Sequence, residues 1–311
     1  LCINLRAVPM LELDRILVII EPGEESQPAL EKAVQLAKYA DSELELMISD
    51  YNAYLEDGYY FDPVQAQKMR YEHGETHIAE MEALAEPLRK QGLTITVTTA
   101  WGNPPYEEVV RRVNETKPSI VIKSTRHHNK LARLVLSNED WELIRYCSAP
   151  LLLVKTHLWE TSPVFIASVD PDHANDKPAA LDNKLIASAQ SLASISGGDV
   201  HLFHSAWMPP LSGVYPVKTD EEEEGRKLTK LAEDNGLCQS SAHWSVQDIL
   251  HALPDKVEEL NASAVVIGAV SRSRLDRVLI GNTAEKILDK LECDVLVIKP
   301  DEMPPPAKVL L

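Results

Sequence analysis

The chain has 311 residues, 44% of them hydrophobic, and a formal net charge of −17. That length predicts about two domains, each able to bury a core without metal or disulfide staples, and the charge argues against general nucleic-acid binding, which rests on neutralised phosphates. No run approaches the ~18 consecutive apolar residues of a membrane span, and the opening LCINLRAVPM has no secretory pattern, Met10 reading as the natural start.

In the first half, Arg15–Glu21 reads as a buried strand, and Gln27–Ala40 has helical spacing at Ala29, Ala33, Val34, Leu36 and Ala37. Leu44–Ser49 is a second strand. The segment 52–91 follows, with a polar loop and a helix over Val64–Lys90. Then come the strand Leu93–Ala100, the helix Tyr106–Glu115, the strand Ser119–Ser124, a short helix about Glu139–Cys147 and the strand Leu151–Lys155. The second half repeats this order: strand 164–170, helix 178–195, strand 199–206, helix 220–235, strand 238–244, helix 247–261, strand 263–268, helix 283–292 and strand 294–299. Short, β-branched strands alternating with helices predict parallel sheets covered on both faces. With right-handed crossovers, the chain is α/β: two tandem doubly wound domains, each with a five-stranded parallel sheet.

The halves are copies. Each opens on a strand ending in an acid and proline, ILVIIEP (Ile16–Pro22) and VFIASVDP (Val164–Pro171). Each closes on a cysteine before a strand ending in lysine, CSAPLLLVK (Cys147–Lys155) and CDVLVIK (Cys293–Lys299). The domains are taken as 10–156 and 157–303, joined by the short 156–163 segment, which leaves little freedom to swing. The tail from Pro300 is proline-rich and expected to be extended. Four cysteines (Cys2, Cys147, Cys238, Cys293) without CxxC suit a reducing cytoplasm, and Cys147 and Cys293 read as small core residues.

Ligands of doubly wound domains sit outside the carboxyl ends of the strands, where the strand order switches. In the second half those ends carry Asp170 and the stretch IGAVSRSRLDRVLIGNTAEK (Ile267–Lys286), in which Gly268, Ser271 and Gly281 fall in turn. Gly281, Asn282 and Thr283 stand at a helix mouth, where free backbone N–H groups hold phosphate, although an ordinary cap explains them too. Asp170 would accept from a ribose or an adenine amine. In the first half Glu21 stands for Asp170, Lys123 for Gly268, and Ser137, Asn138 and Glu139 for the final glycine segment. An acid there repels phosphate, so this half is not expected to hold nucleotide. Both loops after the fourth strand are basic: Lys123, Arg126, Lys130 and Arg133, then Arg272, Arg274 and Arg277. Lys123 is the candidate anion contact of the first half, and Arg272 joins the second-half set, although solvated loops pairing with nearby acids explain these charges too.

Other features have plain readings. Glu221–Glu224 sit in a helix's first turn, where acids suit the dipole. His73 and His77, at i and i+4 beside Glu72 and Glu80, could bind zinc, but with no other ligand nominated they read as a solvated helix face, and no metal site is expected. Ser196–Asp199 (SGGD) reads as a helix C-cap turn. There is no GxxxxGK[ST], GxGxxG or GxSxG, and no side chain has a base nominated beside it.

The paired halves, the GNTAEKILDKLECDVLVIKP ending and the spacing from Gly268 through Ser271 to Gly281 resemble the universal stress protein family in its tandem two-domain form, from Met10 to Pro300. The family's nucleotide signature is Gly, two residues, Gly, nine residues, Gly, then Ser or Thr. The chain departs from it at Ser271 and Asn282. The resemblance implies Rossmann-like domains of the adenine nucleotide alpha hydrolase type, related by a pseudo-twofold axis. It implies a non-catalytic, cytoplasmic stress-response protein that needs no cofactor and binds a small ligand, ATP or AMP, in the second half. The alternative is a stress-response scaffold with no nucleotide role, holding a non-nucleotide, acyl-type metabolite or nothing. A weak ATPase is the third reading. Single-domain relatives commonly dimerise through their last strands, so the strands 151–155 and 295–299 are expected to pair antiparallel as an internal pseudo-dimer, with further homodimer formation. Neither nucleic acid nor membrane is an expected partner.

Overall fold

The computed structural model describes residues 11–55, 62–125, 136–155, 158–171, 181–206, 221–269 and 286–300. They fall into two compact units. The N-terminal unit holds Leu13–Thr125 and Ser137–Leu158, and the C-terminal unit holds the described residues from Trp159 onward, with Leu11, Glu12 and Leu136.

In the N-terminal unit the elements are β1 (Arg15–Ile19), α1 (Pro28–Ala40), β2 (Glu43–Asp50), α2 (Pro63–Arg89), β3 (Ile95–Trp101), α3 (Pro105–Thr116), β4 (Ile120–Ser124), α4 (Asn138–Tyr146) and β5 (Leu151–Val154). Its strands run in the order β3-β2-β1-β4-β5 and pair in parallel. β1 and β4 are buried on both faces, which is why they read as continuous apolar runs rather than alternating ones. Local chemistry sets the helix ends. Pro28, Pro63 and Pro105 stand in first turns, where no N–H is missed. Asp62 accepts from the Val64 N–H at 3.1 Å, and Asp41 closes α1 in the left-handed region at φ 54°.

The C-terminal unit repeats the plan with β6 (Val164–Ser168), α5 (Leu181–Ser196), β7 (Asp199–Ser205), α6 (Glu221–Asp234), β8 (Ala242–Ser245), α7 (Ile249–Glu259), β9 (Ala264–Gly268) and β10 (Asp294–Ile298). Its order is β10-β9-β6-β7-β8, again parallel. Both units are therefore doubly wound, Rossmann-like α/β sheets, as the alternating pattern predicts. The turn after α5 has the expected C-cap geometry. Gly197 takes φ +70°, the Gly198 N–H donates to Ala193 O at 2.9 Å, and a Cβ on Gly198 would stand 2.1 Å from Pro163 O. Trp159 is buried at the head of this unit, donating its indole N–H to Asp294 Oδ2 at 2.8 Å and meeting Phe165 edge-on.

Two elements differ from expectation. The strand expected over 238–244 begins only at Ala242, because Gln239–Ser241 form a 3-10 turn in which the Ser241 N–H donates to Cys238 O at 3.0 Å. Short polar side chains of this kind favour local hydrogen bonds over a ladder. The helix expected over 283–292 is helical only at 286–288 among its described residues, the chain turning at 289–290.

Candidate functional site

The strand order of each unit reverses at one place, between β1 and β4 and between β6 and β9, which makes those carboxyl ends the crevice mouths. In the C-terminal unit, Ala167 pairs with Val266, so Asp170 and Gly268 leave neighbouring strands at the same edge. The Asp170 side chain is 22% exposed, its Oδ1 lies 4.0 Å from His204 Nδ1, and its N–H donates to the Asp182 carboxylate at 3.3 Å. His204 is buried, contacting Val169 O at 3.1 Å, with Glu224 Oε2 3.6 Å from its Nε2. The space where a Gly268 Cβ would stand is taken by Leu181, whose Cδ2 would be 2.9 Å away. Packing of α5 therefore accounts for this glycine without a ligand. The remaining nucleotide candidates, Ser271, Arg272, Gly281, Asn282 and Thr283, lie outside the described residues, as do the basic residues Arg126, Lys130, Arg133, Arg274 and Arg277.

The equivalent mouth of the N-terminal unit is filled by the chain itself. β1 and β4 pair Ile19 with Lys123, and the Lys123 side chain, 1% exposed, is among the largest fully buried ones. Its ammonium lies 3.0 Å from Glu21 Oε1, 2.9 Å from Asp140 Oδ1 and 3.9 Å from Glu139 Oε2. Burial alone would depress its pKa, but the charges of Asp140, Glu21 and Glu139 outweigh burial and hold it above the ordinary lysine range. Asp140, fully buried, also serves α4. Its Oδ2 accepts the Ser137 N–H at 2.8 Å, while Ser137 Oγ accepts the Asp140 N–H at 3.2 Å, a reciprocal capping box. The start of α1 is satisfied likewise, the Ala29 N–H donating to Ser124 Oγ at 2.9 Å. The Gln27 side chain closes the loop after β1, exchanging two hydrogen bonds with the Glu21 backbone. Lys123 was a candidate to turn its charge toward an anionic ligand, the alternative being pairing with nearby acids. The geometry commits it to carboxylates of the same unit.

A third arrangement was read as a solvated helix face, and the structure corrects that reading. α2 packs along β3 and brings His73 and His77 over the carboxyl end of β2, where Asp50 stands. His73 Nε2 lies 2.8 Å and His77 Nε2 3.1 Å from the same oxygen, Asp50 Oδ2. His77 is buried. Its Nδ1 has no hydrogen-bond partner and faces Glu80 Oε2 at 3.6 Å. Glu80 Oε1 in turn accepts the Gly23 N–H at 2.7 Å. Burial alone would raise the Asp50 pKa, but hydrogen bonds from both histidines and the Tyr51 N–H hold it below the usual range. Among the described residues this is the one group of three or more side chains whose ligand atoms converge as metal ligands do, all within 4.8 Å of one another. The i, i+4 spacing was the sequence signal, but the third ligand comes from a strand end that only the packing of α2 reveals.

Comparison with known proteins covers both halves. The profile of the universal stress protein family matches residues 12–155 and 175–299. Two relatives are each called universal stress protein E. That of Photorhabdus laumondii is 26% identical over 310 residues, spanning 96% of this chain and 99% of the relative. That of Escherichia coli is 27% identical over 315 residues, spanning 96% and 98%. Among solved structures, a functionally unknown protein from Pseudomonas aeruginosa PAO1 aligns with a TM-score of 0.75 at 27% identity, covering 94% of this chain and 95% of that one. A universal stress protein from Archaeoglobus fulgidus aligns at 0.69 with 16% identity, covering 93% and 99%, a likeness of fold alone.

Proposed function

The chain belongs to the universal stress protein family, and from that premise we propose that it is a non-catalytic, cytoplasmic stress-response protein holding an adenine nucleotide, ATP or AMP, in the crevice of its C-terminal unit. The observation that carries this reading is the contrast between the two mouths. Where the N-terminal unit has a buried lysine tied to Glu21 and Asp140, the C-terminal unit has a partly exposed Asp170. An internal carboxylate already stands at the mouth of α4, so a phosphate there would meet like charge. At the other mouth Asp170 would accept from a ribose hydroxyl or an adenine amine. No helix among the described residues is long and apolar enough to cross a membrane.

Calorimetry of the full chain with ATP and with AMP tests the proposal. One site per chain is expected. Asp170→Ala should weaken it roughly ten- to a hundredfold, the worth of a hydrogen bond to a charged group, and Gly281→Glu should abolish it. Two equivalent sites, or binding indifferent to both changes, refutes the assignment. A second reading is the scaffold with no nucleotide role, whose crevices hold an acyl-type metabolite or nothing. Leu181 favours it, because its packing over Gly268 explains that glycine without a ligand. An absence of heat at millimolar ATP, with native mass spectrometry showing another ligand or none, would select it.

A further inference from the structure

We propose that Asp50, His73 and His77 form a divalent metal site of the zinc class in the N-terminal unit, supported from behind by Glu80. The donor set is two imidazoles and one carboxylate, the set that zinc takes when a fourth position stays open to water or an incoming ligand. Zinc bonds of about 2.0–2.1 Å at tetrahedral angles place ligand atoms about 3.4 Å apart. The two Nε2 atoms already stand 2.8 and 3.1 Å from Asp50 Oδ2, and all three ligand atoms lie within 4.8 Å of one another, so they bracket the separation that a bound ion requires.

The hydrogen-bond pattern favours the same conclusion. In the metal-free arrangement both Nε2 atoms donate to one carboxylate oxygen, which leaves a neutral His77 with a bare Nδ1. That atom is buried and lacks a hydrogen-bond partner, a costly state for a polar group. A metal on Nε2 requires the tautomer protonated at Nδ1, and Glu80 Oε2 stands 3.6 Å away to receive that proton's hydrogen bond after a small closure. Ligating histidines are generally held this way, by a carboxylate behind the ring. Glu80 is itself fixed by the Gly23 N–H, so the ion would stiffen the loop after β1. His73 and Asp50 are about one-third exposed while His77 is 10% exposed. The site is thus rooted on the His77 side and open on the other, where Trp101 meets His73 edge-on at 5.9 Å. This inference concerns the N-terminal unit and does not rest on nucleotide binding by the other.

The test is a zinc titration of the full chain, stripped of metal by a chelator, with a chromophoric competitor to read affinity. One zinc per chain is expected. His73→Gln and Asp50→Asn should each weaken it at least tenfold, and Glu80→Gln, which touches no metal, ten- to a hundredfold. His243→Gln, in the other close histidine pair of the described residues, should leave it unchanged. Co2+ should give the intense visible bands of a tetrahedral site in the wild type and lose them in His73→Gln. His73 is exposed enough for that change to leave the fold intact, which circular dichroism checks. Zinc displaced equally well by Mg2+, binding unaffected by His73→Gln and Asp50→Asn, or binding lost on His243→Gln would each overturn the proposal.

Discussion

Replacing Lys123 with methionine keeps the bulk of the side chain and removes its charge, leaving Glu21 and the fully buried Asp140 facing each other. Removing one member of a buried ion pair costs about 3–5 kcal/mol, because the partner charge stays desolvated. At ~2–4 °C per kcal/mol, the melting transition of this unit should fall by roughly 6–20 °C. The sign of the pH dependence is fixed. The folded pKa of Lys123 lies above its unfolded value, so its contribution is fully present below the ordinary lysine pKa and is lost only as pH rises through the folded one. The lysine's own titration should therefore add no pH dependence across the neutral range. Neutralising the cluster together, with Lys123→Met, Glu21→Gln and Asp140→Asn, should recover most of the loss, since a buried ionic cluster and its neutral counterpart are often close in stability. Thermal and urea unfolding by circular dichroism, with hydrogen exchange in β1 and β4 to localise the effect, read all of this. A loss of ~1 kcal/mol or less, the worth of a surface pair, would refute the claim that the charges lock the mouth.

Two helix glycines should respond in opposite directions. Gly74 in α2 would place a Cβ 3.8 Å from Thr99 Oγ1, an ordinary contact, so Gly74→Ala should stabilise by about 0.5–1 kcal/mol in denaturant titrations. Gly225 in α6 would place a Cβ 2.7 Å from the Trp244 ring, so Gly225→Ala should destabilise despite its better helix propensity, and a gain would show that Trp244 moves freely aside. His243, its Nε2 2.8 Å from His201 Nδ1, is pushed down to about 4 by burial first and by Lys256 second. An NMR titration should find that depressed midpoint and see it rise in Lys256→Gln. Because the unfolded imidazole protonates first, this group's contribution is present above pH ~6.5 and is lost as pH falls toward 4. His243→Gln should flatten that part of the stability profile, and an unchanged slope would count against the assignment.

Much of the architecture was legible because apolar runs such as ILVI in β1 and LLLV in β5 can sit only in sheets covered on both faces. The duplication also placed the two mouths, so Glu21, Lys123 and Glu139 were read at one mouth before any distance was known. What the sequence withheld was direction. A lysine at a strand end can reach outward or fold back, and the choice here is made by Asp140, whose role as the return leg of a capping box depends on where α4 begins. His73 and His77 showed their spacing but not Asp50, because contact between a helix face and a strand end is set by how α2 lies on β3. The break at Gln239–Ser241 is a local effect, short polar side chains against a weak strand pattern. Gly268 was marked in the sequence as part of the ligand stretch, and the packing of Leu181 against it, which the sequence does not show, is a separate reason for a glycine there.

The indole of Trp159 bears on how the chain can be cut. Its N–H meets Asp294 at the first residue of β10, and its ring closes on Phe165 in β6. The segment just ahead of β6, which looks like a tether in the sequence, is thus anchored at both the start and the finish of the C-terminal unit. A fragment beginning at Val164 would contain every strand of that unit and yet expose Phe165 and strip a donor from a buried carboxylate, whereas one beginning ahead of Trp159 keeps both contacts. Limited digestion should reflect this. Proteases that cleave at exposed linkers should spare the bonds around Trp159 for as long as the C-terminal unit stays folded, and nicking there should accompany its melting rather than precede it.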